Sequence, residues 1–178
     1  MRTYLALDDP FQFRPVERAP SLAVRLVQRR PFPVDRYRRL YKDVGEQWFW
    51  HDRLAWLNEQ LERYLASPDI TVWELETESG ESVGYFELQR TDDASVEIVY
   101  FGLVPKFMGR GLGGLLLTHA VKAAWQVGGP RVWLHTCTLD SERALPNYKA
   151  RGFREYKTQR LEVEIDGTQV VSERVLDD

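Results

Sequence analysis

The chain has 178 residues, 43% of them hydrophobic, which suits one globular unit with a sizeable core. Charged side chains make up 29% and are spread throughout, and the net charge of -3 excludes the basic surface typical of nucleic-acid binding. Cys137 is the only cysteine, which excludes an internal disulfide and a cysteine-rich metal site.

The first 20 residues predict an irregular segment, because prolines stand at positions 10, 15 and 20. They lack the apolar core and cleavage site of a secretory leader, and no later stretch approaches the roughly 20 apolar residues of a spanning helix. Residues 1–178 are therefore expected to form one cytoplasmic domain without a membrane partner. The three histidines lack zinc-type spacing, so no metal is expected.

The next segment predicts one strand and two helices. Residues 22–28 alternate enough apolar and polar side chains for a strand. Apolar residues then recur at helical spacing from Val34 to Val44 and again from Leu54 to Leu65, and Asp52 is placed to cap the second helix. The connection between the helices, residues 45–51, is unusually aromatic.

Residues 70–77, 82–90 and 95–104 predict an antiparallel meander, because turn-forming residues separate them. A helix over about 111–127, a strand over 131–136, a short helix over 141–151 and strands from Phe153 onward follow. Asp166 and Gly167 form a favoured hairpin dipeptide, so the last two strands are expected to pair antiparallel.

The most informative segment is a glycine-rich loop that joins the third meander strand to the long helix. Residues 104–114 read Val-Pro-Lys-Phe-Met-Gly-Arg-Gly-Leu-Gly-Gly. No Ser, Thr, Asp or Asn caps the helix, so its first amides are free to bind an anion at the positive helix end. Arg110 adds a charge that pairs well with phosphate. The pattern predicts a phosphate-binding loop.

Two other nucleotide motifs fit this loop less well. Gly109, Gly111 and Gly114 match the G-x-G-x-x-G of dinucleotide-binding proteins. That motif follows the first strand of a parallel unit and has an acidic residue about 20 positions later, whereas this strand ends a meander and residues 128–134 contain no acid. The loop also lacks the Gly-Lys-Ser/Thr of a triphosphate-binding P-loop.

The region from Val83 to Phe153 resembles the GNAT superfamily of N-acetyltransferases. Residues 103–105 and 108–113 are similar to the family's Val-x-Pro and Arg/Gln-x-x-Gly-x-Gly/Ala, and Tyr148 begins its Tyr-x-x-x-Gly-Phe. The resemblance implies an α/β (α+β) fold, with a mixed, mostly antiparallel sheet of about seven strands and about four helices. It implies acetyl-CoA as co-substrate and cofactor contacts from Leu103, Val104, Met108, Gly109, Arg110, Gly111, Leu112, Gly113, Gly114 and Asn147.

Two positions depart from the family pattern. Met108 stands where the family favours Arg or Gln, so Arg110 or Lys106 would supply that charge. Ser141 stands where many members carry an Asn that contacts coenzyme A. The backbone amides would still provide most of the contacts.

The resemblance also implies catalytic roles. Glu97 on the strand before the loop is the candidate general base, directly or through water, and Tyr148 is the candidate general acid. A bulge near Leu103 and Val104 would turn a strand amide towards the thioester oxygen. His135 and Cys137 share a strand face but are about 6.6 Å apart by strand rise, too far for a nucleophile-base pair.

The aromatic connection, which includes Trp48 and Trp50, and the Asp52 that follows it are expected to wall the acceptor site, because aromatic faces and carboxylates hold ammonium groups. The expected acceptor is a small-molecule or peptide amine, and a homodimer is compatible with the resemblance. A non-catalytic acyl-CoA-binding or regulatory domain is the alternative, and a dinucleotide-dependent oxidoreductase is the weakest of the three.

Overall fold

The computed structural model describes residues 1–167 and 169–176. Eight strands and four α-helices lie within them. The strands are β1 (Arg2–Leu7), β2 (Val24–Gln28), β3 (Ile70–Thr77), β4 (Ser82–Arg90), β5 (Val96–Leu103), β6 (Val132–Cys137), β7 (Arg154–Asp166) and β8 (Gln169–Leu176). The helices are α1 (Val34–Gly45), α2 (Asn58–Leu65), α3 (Leu112–Val127) and α4 (Ala144–Ala150).

All eight strands join one sheet in the order β2-β3-β4-β5-β6-β1-β7-β8. Neighbours pair antiparallel except β5 and β6, which are parallel and are connected through α3. The mixed α/β architecture expected from the sequence is therefore confirmed, including the β3-β4-β5 meander and the final antiparallel hairpin. The sheet has one strand more than the approximate number expected.

The additional strand is β1, so the prediction that residues 1–20 are irregular is wrong for Arg2–Leu7. This strand pairs with both β6 and β7, and Leu5, Ala6 and Leu7 are fully buried. A strand buried on both faces shows no alternation of apolar and polar residues, so the usual periodic signal is absent.

The start of α2 also differs from the prediction. The helix begins at Asn58, and Gln60 caps it by accepting a hydrogen bond from the Leu57 amide at 2.7 Å. Asp52, the expected cap, instead accepts a hydrogen bond from the Tyr100 hydroxyl at 3.0 Å. Residues 52–57 are consequently an irregular segment above the sheet, in which Leu54 and Leu57 are exposed.

Two apolar layers cover the two faces of the sheet. Helix α3 has a buried stripe of Leu112, Leu116, Ala120 and Val121 that packs on one face. Helices α1 and α2 cover the other face through Tyr37, Leu40, Tyr41, Leu61 and their neighbours. The connections into α3 and out of α1 therefore reach the sheet from opposite sides.

The parallel strands β5 and β6 separate soon after they begin. Their pairing is limited to Val96 with Val132 and Glu97 with Trp133. Beyond Glu97 the register between β4 and β5 shifts, because Glu87 lies opposite Tyr100 while Leu88 lies opposite Ile98. Val99 is the extra residue of this bulge, and a bulge bends a strand and increases its twist. The two strands therefore diverge into a V.

Candidate active site

A cleft of about 1080 Å³ fills the space between the diverging strands. The residues from Ile98 to Leu103 line one side, and His135 and Cys137 line the other. One end of the cleft lies at the glycine-rich loop, and the aromatic connection after α1 lines it as well. A sheet that opens in this way leaves strand-edge polar groups available to an extended ligand.

The loop end of the cleft offers unpaired backbone amides. Gly109 and Gly111 adopt left-handed backbone angles, with φ of 76° and 77°, and no side chain caps α3. Within the described residues, the amides of 109–114 donate no hydrogen bond to the protein. Free amides at the positive end of a 16-residue helix form an anion site, so this end is suited to a diphosphate.

A cation that lines the cleft at the loop end is Arg143, a residue absent from the sequence-based prediction. It lines the cleft just before α4, and its Nη1 lies 3.8 Å from where a Cβ on Gly109 would be. Arg110, the residue expected to bind phosphate, is exposed and does not line the cleft; its guanidinium lies 5.7 Å from the Phe107 ring centroid. No motif marks Arg143, because α4 brings it to the loop only in the folded chain.

Helix α4 also carries two residues that the sequence predicts for the site, Asn147 and Tyr148. Asn147 lines the cleft and donates a hydrogen bond from Nδ2 to the Gly113 carbonyl at 3.4 Å, which joins α4 to the first turn of α3. The Tyr148 side chain packs between Phe101 and Phe153, with ring centroids 5.9 and 6.2 Å away. Burial, and then Asp140, raises the pKa of Tyr148, so its phenol stays protonated.

Glu97 lies at the vertex of the V, at the last residue that β5 pairs with β6. Its carboxylate accepts no hydrogen bond from the described residues and does not line the cleft itself. Burial, and then the fully buried Glu87, raises its pKa to about 7, although Arg53 and Arg2 oppose the shift. A carboxylate that titrates near neutral pH can accept a proton under physiological conditions.

The far side of the cleft is aromatic and acidic. Trp48, Trp50 and Asp52 line it, as the sequence predicts for the acceptor side. Gly45 makes this packing possible, because a Cβ there would lie 2.4 Å from the Trp50 ring. The Trp50 and Tyr100 ring centroids are 4.9 Å apart. This surface is suited to an organic cation.

His135 and Cys137 both face the cleft, as their alternation on one strand predicts. Burial, and then Arg2, lowers the pKa of His135, while burial and Asp140 raise the pKa of the Cys137 thiol. Both groups are therefore neutral at pH 7, and neither hydrogen-bonds the other. Asp140 has a structural role, since it accepts from the Thr136 hydroxyl at 2.7 Å and the Cys137 amide at 2.8 Å.

Among residues 1–167 and 169–176, no group of three or more His, Cys, Asp and Glu side chains is arranged to hold a metal ion. None of the helices in the same residues is long and apolar enough to cross a membrane.

The sequence model of the acetyltransferase (GNAT) family matches residues 34–153, well over half of the chain. The chain belongs to the GNAT acetyltransferase family. The matched region contains β5 and β6, which border the cleft, together with the glycine-rich loop and Tyr148. No curated protein matches the chain in sequence.

Solved GNAT structures are similar in fold. A GCN5-related N-acetyltransferase from Kribbella flavida has a TM-score of 0.62 and 18% identity, over 87% of this chain and 55% of that one. One from Sphaerobacter thermophilus has a TM-score of 0.64 and 17% identity, over 87% and 48%. An aminoglycoside acetyltransferase from an uncultured soil metagenomic sample, solved with sisomicin, has a TM-score of 0.65 and 13% identity, over 80% and 97%. The chain therefore spans about half the length of the first two.

The GNAT cleft brings together most of the predicted cofactor residues. Those that line it are Leu103, Met108, Gly109, Gly111, Gly113, Gly114 and Asn147. The side chain of Leu112, the first residue of α3, is fully buried in the core, so only its backbone faces the loop. The Val104 amide already donates to the Val83 carbonyl at 2.9 Å, and the bulge lies at Val99 rather than at Leu103 and Val104.

Proposed function

We propose that this protein is an acetyl-CoA-dependent N-acetyltransferase that transfers the acetyl group to a primary amine within a ternary complex. The observation that carries the proposal is a single cleft that connects the free amides of 109–114, the Tyr148 phenol and an aromatic mouth bearing Asp52. Each part matches one part of the two substrates: a diphosphate, a departing thiolate and a cationic amine.

The co-substrate fits the chemistry of the residues along the cleft. The amides of 109–114 and the Arg143 guanidinium would bind the diphosphate. The edge of β5 beyond Glu97, which has no pairing with β6, would bind the amide groups of the pantetheine arm as a neighbouring strand does. The arm would then direct the thioester towards Tyr148.

The reaction is a direct displacement. The neutral amine nitrogen attacks the thioester carbonyl carbon, a C–N bond forms, and the C–S bond then breaks to release the thiolate. We assign the proton lost by the amine to Glu97 through water, because Glu97 lies behind the cleft wall. The raised pKa of about 7 reduces the pKa gap between Glu97 and an alkylamine from about six units to about 3.4 units, or roughly 5 kcal/mol.

Tyr148 supplies the proton to the departing thiolate. In water a phenol near pKa 10 is about 1.5 units too weak an acid for a thiolate near 8.5. Burial raises the pKa of Tyr148, but the same apolar surroundings also raise the proton affinity of a thiolate that forms beside it. An amide of β5 at the Val99 bulge would stabilise the oxyanion.

The acceptor class is a small-molecule or peptide amine. The cluster of Trp50 and Tyr100 beside Asp52 supports an amine that arrives as a cation. The structural neighbour that is an aminoglycoside acetyltransferase supports a small-molecule acceptor at the level of the fold.

The test is a panel of primary amines incubated with the protein and acetyl-CoA, with release of free coenzyme A as the readout. Tyr148→Phe should lower kcat by about 100-fold and leave acetyl-CoA binding unchanged, because it removes only the proton donor. Tyr156→Phe, at a tyrosine that is 49% exposed, is the matched control and should retain full activity. Binding of acetyl-CoA without turnover of any amine would instead favour the non-catalytic alternative.

A further inference from the structure

A second carboxylate, Glu87, lies beside Glu97 on the same face of the sheet. In the β4-β5 ladder Glu97 is opposite Gln89, and Glu87 and Gln89 are two positions apart on β4, so their side chains share a face. Glu87 is fully buried. Diagonal neighbours on adjacent strands are about 7 to 8 Å apart, a distance at which buried charges still interact. The charge of Glu87 is therefore felt at Glu97.

Three donors hold the Glu87 carboxylate in its ionised form. The Tyr37 and Tyr64 hydroxyls donate to its two oxygens at 2.6 and 2.5 Å, and Arg53 Nη2 lies 3.7 Å from Oε1. A carboxylate that faces donors is matched to its charged state. Burial raises the pKa of Glu87, and the two tyrosines and Arg53 oppose this shift. The network thus keeps a negative charge inside the protein.

The positive partner of Glu87 comes from the irregular segment before α2. The Arg53 side chain is only 14% exposed. Its Cζ atom lies against three aromatic rings, at centroid distances of 4.1, 4.5 and 5.5 Å to Trp56, Tyr64 and Tyr100. An aromatic enclosure attracts a cation and keeps water from it. Glu87 and Arg53 therefore form a buried ion pair on the face of the sheet that carries Glu97.

The other titratable groups around Glu97 contribute less charge. Arg2 on β1 opposes the raised pKa of Glu97, but its guanidinium is already paired with a carboxylate on β8. Burial raises the pKa of Tyr156 on β7 and of Tyr100 on β5, and it lowers the pKa of His135 on β6. These three side chains are consequently neutral at pH 7. The buried ion pair is the remaining source of charge near Glu97.

We propose that Glu87 and Arg53 are positioning residues for the reaction, which act from outside the cleft and set the pH range in which Glu97 accepts a proton. This inference rests on the proposed role of Glu97 as general base. Glu87 disfavours the ionised form of Glu97 and Arg53 favours it, so the two charges act in opposite directions. Removal of either charge leaves the other uncompensated.

The experiment measures kcat/KM for butylamine as a function of pH. Glu87→Gln should move the inflection near pH 7 down by about one unit, and Arg53→Met should move it up by a similar amount. The double variant lacks both charges, so its inflection should lie between those of the single variants. Arg53→Lys keeps the charge and should restore the inflection. The KM for acetyl-CoA should stay unchanged in all four variants.

Arg90→Met is the matched control. Arg90 lies at the end of β4 and donates to Asp69 at 2.7 and 3.0 Å. This ion pair is about half exposed, and neither residue lines the cleft. Since water and salt screen exposed charges, the inflection should move by less than about 0.2 unit. A purely structural role of Glu87 and Arg53 would lower the rate of both variants without opposite shifts.

Carbon-13 NMR of the glutamate carboxyl groups provides a readout that needs no turnover. The Glu97 signal, assigned by its absence in Glu97→Gln, should titrate near pH 7 and shift in the variants as the rate does. An unchanged titration in Glu87→Gln, or shifts of one sign in both single variants, would overturn the inference. If Arg53→Met does not fold, the result for Glu87→Gln decides alone.

The same titration separates this inference from the proposed function. If no amine is acetylated but Glu97 titrates as expected in each variant, the proposed function fails and the buried ion pair still controls the charge of Glu97. If amines are acetylated and Glu87→Gln leaves both the inflection and the titration unchanged, the proposed function stands and the positioning role is wrong.

Discussion

The proposed role of Glu97 as general base depends on its position at the vertex between β5 and β6. Burial and the neighbouring Glu87 raise its pKa to about 7. A general base acts in its ionised form, so kcat/KM for an amine should rise with pH through an inflection near 7. Glu97→Gln should remove this inflection and lower the rate at pH 7 at least tenfold, with a smaller deficit at pH 9, where more of the amine is already neutral.

The raised pKa of Glu97 also predicts that the free energy of unfolding falls as pH rises, whereas activity is expected to rise. Its pKa is about 7 in the folded protein and about 4.3 when unfolded, so between these values the folded state binds more protons. Its contribution to stability is therefore lost as pH rises through this window. Glu97→Gln should be more stable than the unmodified protein by roughly 3 kcal/mol at pH 8 and equally stable at pH 4 in urea denaturation. Equal stability of the two proteins at both pH values would contradict the half-buried, unpartnered position of Glu97.

Residues that act through local sequence are predictable, and residues that act through tertiary contacts are not. Tyr148 and the glycines follow short motifs that themselves define their surroundings. Arg143 reaches the loop only through the packing of α4, and Arg2 reaches the cleft only because β1 enters the middle of the sheet. The direction of a long charged side chain depends on such packing. For the same reason the sequence does not predict that Arg110 points away from the cleft, where it was expected to contact the cofactor.

The proposed binding of acetyl-CoA depends on the first turn of α3. Gly111 has a φ of 77°, and no atom lies within 4 Å of the position that a Cβ would take, so Gly111→Ala adds backbone strain without a clash. This strain amounts to about 1 kcal/mol. We expect it to shift the loop amides and weaken acetyl-CoA binding about tenfold, as measured by calorimetry.

Gly80→Ala is the control for this element. Gly80 has a φ of 83°, is equally unobstructed and lies in the turn between β3 and β4, away from the cleft. It should cost similar stability without changing the affinity for acetyl-CoA. If both variants bind equally well, the α3 amides do not hold the diphosphate.

Among the helices and strands, the sequence predicts those that are marked by hydrophobic periodicity and by turn residues. The meander, α3 and the final hairpin follow such signals and are confirmed. The predicted start of α2 is wrong, and Asp52 instead accepts a hydrogen bond from Tyr100, a contact between distant parts of the chain. The bulge at Val99 is likewise set by pairing between strands, which single-strand patterns do not contain.

For the whole molecule, β1 is the strand that joins the two halves of the sheet. It lies between β6, which borders the cleft, and β7, which carries the hairpin. The chain's first residues thus support both the core and the terminal hairpin. A segment that the sequence predicts to be irregular is, in the folded protein, a central structural element.

Leu5→Ala tests this position of β1 directly. Leu5 is fully buried, and removing a buried leucine side chain costs about 2 to 5 kcal/mol, so we expect about 3 kcal/mol of lost stability in urea denaturation. Leu57→Ala removes the same atoms from a residue that is 67% exposed and should change stability by less than about 0.5 kcal/mol. Similar values for the two variants would mean that residues 2–7 do not pair with β6 and β7 in solution.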